Sequence, residues 1–325
     1  MPVPEDHKLA IYYSPTFLEH KAPPGHPEKE ERLTTIIDTL KNHDFFGLPL
    51  IEPREATTLE LELVHTKDHI QRVKEASSSS SYLDPDTYAS QGSFKAAATA
   101  AGAVIQATEQ LSTGKLSRAF GLLRPPGHHA SANQAMGFCL FNNVAIGAAY
   151  YVKNYGKRVA ILDFDAHHGN GTQSIFYTSD DVLYCSWHQW PHYPGTGAQA
   201  EKGEGKGEGF TINIPLTLRS SDDVFIQSLD DTVLPALEKF KPGLVIVSAG
   251  FDSHQADPLS GLCFTEEGYA TFTSRLTCFC RQSSTGLLFC LEGGYNLRAL
   301  SNSILKTLAV LADKKVDGID KRAFS

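Results

Sequence analysis

Residues 157–177, K-R-V-A-I-L-D-F-D-A-H-H-G-N-G-T-Q-S-I-F-Y, are the stretch from which the fold is read. Residues 159–162 form an unbroken apolar run of strand length, as expected of a central strand covered on both faces. The run then breaks into Asp163, Asp165 and His167 at alternate positions. Period two places these three side chains on one side, with Phe164 and Ala166 on the other. Gly169-Asn170-Gly171 turns the chain, and Thr172 onward predicts a helix. Acidic and imidazole groups at the carboxyl end of a parallel strand stand where an α/β sheet presents its ligands.

Working outward, strands are predicted over residues 8–13, 120–123, 182–186, 244–247 and 286–291. Helices are predicted over 28–42, from Thr66 to about 75, over 93–110, in the apolar continuation of G-F-C-L-F-N-N-V-A-I-G-A-A-Y-Y-V, over 222–240 and 265–281, and in a last segment to about 312. Glu28, Glu30 and Glu31 would complement the first helix N-terminus. The Ala- and Gly-dominated 93–110 segment suits a helix packed closely on a neighbour. The serine tract 77–81 predicts a mobile segment, and L-D-P-D-T-Y after it a turn-rich loop. The loop E-K-G-E-G-K-G-E-G reads as a solvated connection rather than a phosphate cradle, because no G-K-[ST] ends it. Four strands thus end in chemically loaded loops: R-P-P-G-H-H, D-F-D-A-H-H-G-N-G, A-G-F-D and E-G-G-Y. Strand-helix alternation implies right-handed crossovers and a parallel sheet, so these four ends share one edge.

The 325 residues carry no linker and predict one domain over 1–325. A net charge of −8 with scattered Lys and Arg argues against direct nucleic-acid binding. Strand-sized apolar runs and an N-terminus, M-P-V-P-E-D-H-K, without an apolar core argue against membrane insertion and a signal peptide. The six cysteines make no C-x-x-C pair, which predicts reduced thiols and a cytoplasmic setting. Homo-oligomerisation is left open.

Asp165, His167 and Asp252 supply two carboxylates and one imidazole, enough for a catalytic Zn²⁺ with room for water and substrate. Mn²⁺ and Fe²⁺ also suit such a set. A metal there would acidify its water and polarise a carbonyl. His128 and His129 can move protons, and Tyr295, after Gly293-Gly294, can donate a hydrogen bond to a developing oxyanion. These parts suffice for amide hydrolysis.

R-P-P-G-H-H-A, G-F-C-L-F-N-N, D-F-D-A-H-H-G-N-G-T-Q, A-G-F-D-S-H-x-x-D-P-L and L-E-G-G-Y-N-L, in this order, closely resemble the zinc-dependent histone deacetylase family. The class II branch and its bacterial amidohydrolase relatives are the nearest in form. The resemblance covers nearly the whole chain. It implies the arginase-deacetylase α/β fold, with one parallel sheet of about eight strands between helical layers. It implies one catalytic Zn²⁺ on Asp165, His167 and Asp252, with His128 and His129 as tandem catalytic histidines and Tyr295 polarising the acyl carbonyl. Asp163 would orient His128 and Asn170 would stand behind His129. Class I relatives carry Asp in place of Asn170, so the cationic form of His129 should be less favoured here and His129 the better general base. Gly137, Phe138 and Tyr193 match the walls of a substrate tunnel, with Gly293 and Gly294 beside it. Asp86 matches a rim carboxylate and Arg32 the arginine of an acetate channel. A structural K⁺ is implied near Asp163, Asp165, His167, Ser186 and Trp187, partly through main-chain carbonyls.

Other readings stand beside these. Asp165, His167 and Asp252 as a hydrogen-bonded polar cluster without a cation would leave adjacent carboxylates at high cost. His168 reads as structural, and His188, His192 and His254 as ordinary rim or loop residues. Cys139 reads as a small buried thiol rather than a nucleophile. Phe138 and Tyr193 could be core aromatics, and Asp86 and Arg32 solvated charges. The substrate is an acyl-lysine protein or peptide, or a small acylated amine such as an acetylpolyamine. The polyamine-specific relative resembles this chain with a glutamate where Leu259 stands, and leucine offers a secondary ammonium no partner. Manganese ureohydrolases share the fold but carry F-D-x-D-x-x-D-P where this chain has F-D-S-H-Q-A-D-P, and lack a counterpart of His128-His129. A metal-binding interaction protein without turnover is disfavoured by His128, His129 and Tyr295.

Overall fold

The computed structural model describes residues 8–314. The N-terminal residues read for a signal core, other than Lys8, and the end of the charged tail lie outside them. In chain order the elements are β1 (Leu9–Tyr12), α1 (Glu31–Lys41), β2 (Leu50–Ile51), α2 (Thr58–Leu61), α3 (Lys67–Ser79), β3 (Ser81–Asp84), β4 (Thr87–Ala89), α4 (Ser93–Ser112) and β5 (Arg118–Gly121). They continue with α5 (Asn143–Tyr155), β6 (Val159–Asp163), α6 (Asn170–Phe176), β7 (Val182–Gln189), β8 (Thr211–Leu216), α7 (Asp222–Ser228) and α8 (Leu234–Phe240). The last four are β9 (Leu244–Ala249), α9 (Glu266–Ser283), β10 (Gly286–Leu291) and α10 (Leu297–Leu311).

Eight strands form one parallel sheet in the order β2-β1-β5-β10-β9-β6-β7-β8. The central strands β6 and β9 are buried at every position, which their apolar runs require once both faces are covered. Helices α4 and α5 pack together over β5, β10, β9 and β6, while α1, α9 and α10 pack as a second group. A smaller core between α3, α4 and α5 holds Val73, Ala101, Phe141 and Ile146. Ala56 donates its backbone N–H to Ala98 at 2.9 Å, so the 54–56 segment lies directly on the small-residue face of α4.

Several local expectations change. The serine tract is ordered: Ser77 to Ser79 close α3, Ser80 is a left-handed C-cap, and buried Ser77 donates to the Ser90 carbonyl at 2.8 Å. L-D-P-D-T-Y belongs to the β3-β4 hairpin, with Pro85-Asp86 as its turn and the flanking residues in the two strands. Glu28 does not serve the α1 N-terminus, which starts at Glu31; it is buried and accepts from Arg124 at 2.7 Å and Arg32 at 3.1 Å. The 222–240 helix is interrupted by a π turn at Leu229–Val233. Pro235 follows in the first turn of α8, where its missing N–H is tolerated. β8 escaped sequence reading because T-I-N-I-P-L is a half-buried edge strand carrying Pro215. No helix among the described residues is long and apolar enough to cross a membrane.

Candidate active site

β6 and β9 are neighbours, with Asp163 opposite Ser248. The chain runs outward from β6 through β7 and β8 before returning to β9, so the loops leaving β6 and β9 meet at a switch in strand order. Asp165 and His167 arrive from the first loop and Asp252 from the second. His167 Nδ1 lies 3.1 Å from Asp165 Oδ1 and 3.1 Å from Asp252 Oδ2, with all three residues buried. Backbone amides fix the carboxylates: Ala166 donates to Asp252 Oδ1 at 2.8 Å and Gly293 to Asp165 Oδ2 at 2.9 Å. Only glycine fits at 293, since a Cβ there would stand 2.2 Å from Asp252 Oδ2 and 2.6 Å from Asp165 Oδ2.

Burial pushes the Asp252 carboxyl up to about 7, with the Asp165 charge adding to it. Burial opposes charge on His167 too, yet hydrogen bonds to Asp165 and Asp252 win and lift it to about 10. A cation between these carboxylates is therefore demanded electrostatically, and a proton on Nδ1 is what meets the demand without metal. Two oxygen donors and an aromatic nitrogen in one buried cluster fit a divalent ion, which would displace that proton.

The tandem histidines leave β5 through R-P-P-G. Buried Glu292, at the end of β10, accepts from Gly127 N at 2.6 Å and His128 N at 3.2 Å, which ties this loop to the sheet. His128 Nδ1 is 3.1 Å from Asp163 Oδ2, which also accepts from the Tyr184 hydroxyl at 3.0 Å. His129 Nδ1 is 2.8 Å from Asn170 Oδ1, and the two imidazoles are 4.0 Å apart. Their electrostatics diverge. Burial disfavours charge on His128, but Asp165 and Asp163 overcome it and raise the group to about 10. Burial, then the neighbouring His128 and His167 cations, hold His129 well below its ordinary value.

Tyr295 follows Gly293-Gly294, and its backbone N–H donates to Asp257 Oδ2 at 2.6 Å. Burial and the Asp252 charge raise its hydroxyl well above the ordinary range, so it stays a proton donor. Arg32 lies behind it, fully buried, donating to the Gly294 carbonyl at 2.6 Å, the Glu292 carbonyl at 2.5 Å and Glu28 at 3.1 Å. Its guanidinium is 5.1 Å from the Tyr295 ring centroid. Phe138 packs edge-on against Tyr295 at 6.0 Å and Tyr193 against His129 at 5.3 Å. Gly137, at φ +54°, passes the His129 ring where a Cβ would be 2.4 Å away. Asp86 sits in the β3-β4 turn, its carbonyl accepting from His26, which packs on Phe138 at 4.7 Å. Leu259 is partly exposed, and its carbonyl meets His192 Nε2 at 3.0 Å.

A Cβ at Gly293 would meet Asp252 and Asp165 and one at Gly294 would meet Leu300 and Phe251, while the Gly294 carbonyl accepts from Arg32. His188 is not a rim residue: it is buried on β7 between Ser186 Oγ and the Gly197 carbonyl. His254 is likewise buried, against Glu266. His168 is buried between Thr196 and Gln173. The Ser186 and Trp187 side chains are engaged by His188 and Ser228, so a cation near them would meet main-chain carbonyls. Sequence reasoning assigned nothing to Glu292, Asp257 and Tyr184 and read His192 as an ordinary rim or loop residue. Glu292 and Asp257 stand inside motifs already quoted, and for Glu292 a charged residue at the end of an apolar strand was the available signal. His192 stacks on His167 with ring centroids 4.9 Å apart, a contact no spacing encodes.

An eight-stranded parallel sheet with this cluster at its carboxyl edge defines an arginase-deacetylase fold with an amide-hydrolase site. Residues 26–311 match the Histone deacetylase domain family, and the chain belongs to that family. A "Probable deacetylase" of Archaeoglobus fulgidus is 39% identical over 307 residues, 93% of this chain and 86% of the relative. "Histone deacetylase 15" of Arabidopsis thaliana is 42% identical over 302 residues, 90% of this chain and 54% of the relative. The chain thus spans about half of that plant protein. The solved structure described as the HDA15 HD domain superposes with a TM-score of 0.91 at 39% identity, covering 95% of this chain and 89% of that one. Deacetylase chemistry on an acetylated amide is what these relationships support.

Proposed function

We propose that the chain is a single-domain, zinc-dependent deacylase that removes acyl groups from lysine side chains of proteins or peptides. The observation carrying this reading is the buried Asp165–His167–Asp252 cluster facing two histidines of opposite electrostatic character. One Zn²⁺ held by those three residues supplies a water acidified to about neutral pH and Lewis-acid polarisation of the acyl carbonyl.

The chain's own residues then divide the proton work. His129, neutral and with Nδ1 turned to Asn170, presents Nε2 as the general base. His128, paired through Nδ1 with the Asp163 carboxylate, gives its Nε2 proton to the departing amine. Tyr295 donates its hydroxyl hydrogen bond to the developing oxyanion. Phe138 and Tyr193 flank the acyl-lysine stem, Asp86 receives substrate backbone amides, and Arg32 marks the exit for the released carboxylate. A K⁺ near Asp163, Asp165, His167, Ser186 and Trp187 would offset part of the buried negative charge. Small acetylated amines are the second substrate reading; the apolar Leu259 at the mouth favours lysine. Six free cysteines suit a reducing compartment, in keeping with a cytoplasmic enzyme.

The test is Asp252→Ala: bound Zn²⁺ and turnover should be lost together, because two remaining ligands hold metal poorly. Full activity in a variant shown by elemental analysis to be metal-free sinks the mechanism.

A further inference from the structure

Among the described residues a second group of ligating side chains lies beside the first: His128, Cys139 and Glu292, each buried, with ligand atoms within 4.8 Å of one another. The two groups adjoin, since His128 Nε2 is 3.8 Å from Asp165 Oδ2. Nitrogen, thiol sulfur and carboxylate oxygen together suit Zn²⁺ or Cd²⁺ rather than a hard cation. We propose that His128, Cys139 and Glu292 form a second, inhibitory site that captures a thiophilic divalent cation once metal exceeds one equivalent per chain.

Occupancy must follow that of the first site. Asp165 and Asp252 converge on His167, whose proton a metal displaces, whereas Glu292 already accepts from Gly127 N, His128 N and the Ser248 hydroxyl at 3.2 Å. Burial, followed by the Glu292 charge, pushes the Cys139 thiol well up, so it is protonated when no second metal is present. Its hydrogen bond goes to the Gly137 carbonyl at 3.3 Å, a weak interaction to give up. Binding forms metal–sulfur, metal–nitrogen and metal–oxygen bonds and releases the Cys139 thiol proton and the His128 Nε2 proton to solvent; no electrons are transferred. Glu292 retains lone-pair capacity for a metal beside its amide donors. Loss of turnover follows because His128 can no longer deliver a proton. That consequence rests on the role proposed for His128, whereas the binding itself does not.

The experiment uses the full chain with Cys263→Ser and Cys278→Ser, which removes the two thiols that are not buried. Protein loaded with one equivalent of Zn²⁺ is titrated with Cd²⁺ while thiolate-to-cadmium charge-transfer absorption and deacetylase turnover are followed. The expected result is a band saturating at one added equivalent, with a parallel loss of turnover of at least about tenfold that reverses in a metal buffer. Adding Cys139→Ser should abolish the band and raise the inhibitory Cd²⁺ concentration by about tenfold or more. Cys139→Ala serves as a second variant, with circular dichroism as the check on folding. A band that persists without Cys139, or no band at all, overturns the site. A Cys139-dependent band with unchanged turnover overturns the inhibitory claim and, separately, the proton-delivery role of His128.

Discussion

Gly293→Ala is the substitution that most directly questions the architecture of the metal centre. The added Cβ would lie 2.2 Å from Asp252 Oδ2 and 2.6 Å from Asp165 Oδ2, both well inside van der Waals contact. Neither oxygen is the free end of a flexible chain, because Asp252 Oδ1 holds Ala166 N and Asp165 Oδ2 holds Gly293 N itself. Relief therefore means moving both carboxylates, or moving the 292–295 backbone and breaking the Gly293 hydrogen bond. A hydrogen bond to a charged group contributes about 1.5–3 kcal/mol, and disturbing an outer contact of a metal ligand typically weakens affinity about 10–100-fold. With both carboxylates displaced, the expected loss of Zn²⁺ affinity is at least about 100-fold, or about 2.7 kcal/mol. Competition against a chromophoric chelator measures it, with a thermal melt of the metal-free protein to separate ligand displacement from unfolding. Wild-type Zn²⁺ affinity in a folded Gly293→Ala protein would refute the placement of these three residues.

Tyr295→Phe should fold normally and lower kcat by roughly 10²–10³ with little change in KM, the loss typical of one oxyanion donor. A change confined to KM in steady-state kinetics would make Tyr295 a binding residue. Acetyl-lysine peptides should have higher kcat/KM than acetylspermidine, and Leu259→Glu should shift the ratio toward the polyamine. A wild-type preference for acetylspermidine of about tenfold or more (~1.4 kcal/mol) would move the substrate to the small-amine class. Burial holds His65, His168 and His188 at about 3, about 3 and about 4, below the ordinary value of roughly 6.5. Because their folded values are depressed, these groups contribute stability above pH ~6.5 that is lost as pH falls toward 4, by up to about 1.4 kcal/mol per pH unit per site. His128 and His167, raised to about 10, act with the opposite sign and only above pH ~6.5. Asp252 and Glu292, both raised to about 7, oppose these histidines between pH 4.5 and 6.5, so the check is an NMR titration of the individual imidazoles: His65, His168 and His188 should stay neutral at pH 5, and any of them titrating at its ordinary value contradicts the burial argument.

Strand periodicity and the loops that follow the strands were sufficient to anticipate a parallel sheet whose carboxyl edge carries Asp165, His167, Asp252, His128, His129 and Tyr295. The reason is local: an unbroken apolar run ending in charged residues has few other places in a fold. The motif order added the family and the sheet size. What the sequence did not disclose depends on contacts between distant segments. Ser77 is ordered because the Ser90 carbonyl receives its hydroxyl, and Glu28 is buried because Arg32 and Arg124 converge on it. Likewise, Gly293 is required because two carboxylates from β6 and β9 crowd its α-carbon, and His192 reaches the site only by stacking on His167. The cationic His128 and neutral His129 likewise follow from what surrounds each ring, Asp165 and Asp163 for one, burial and the neighbouring His128 and His167 cations for the other. A one-dimensional pattern encodes which face a residue occupies; only the packed chain decides what that residue touches.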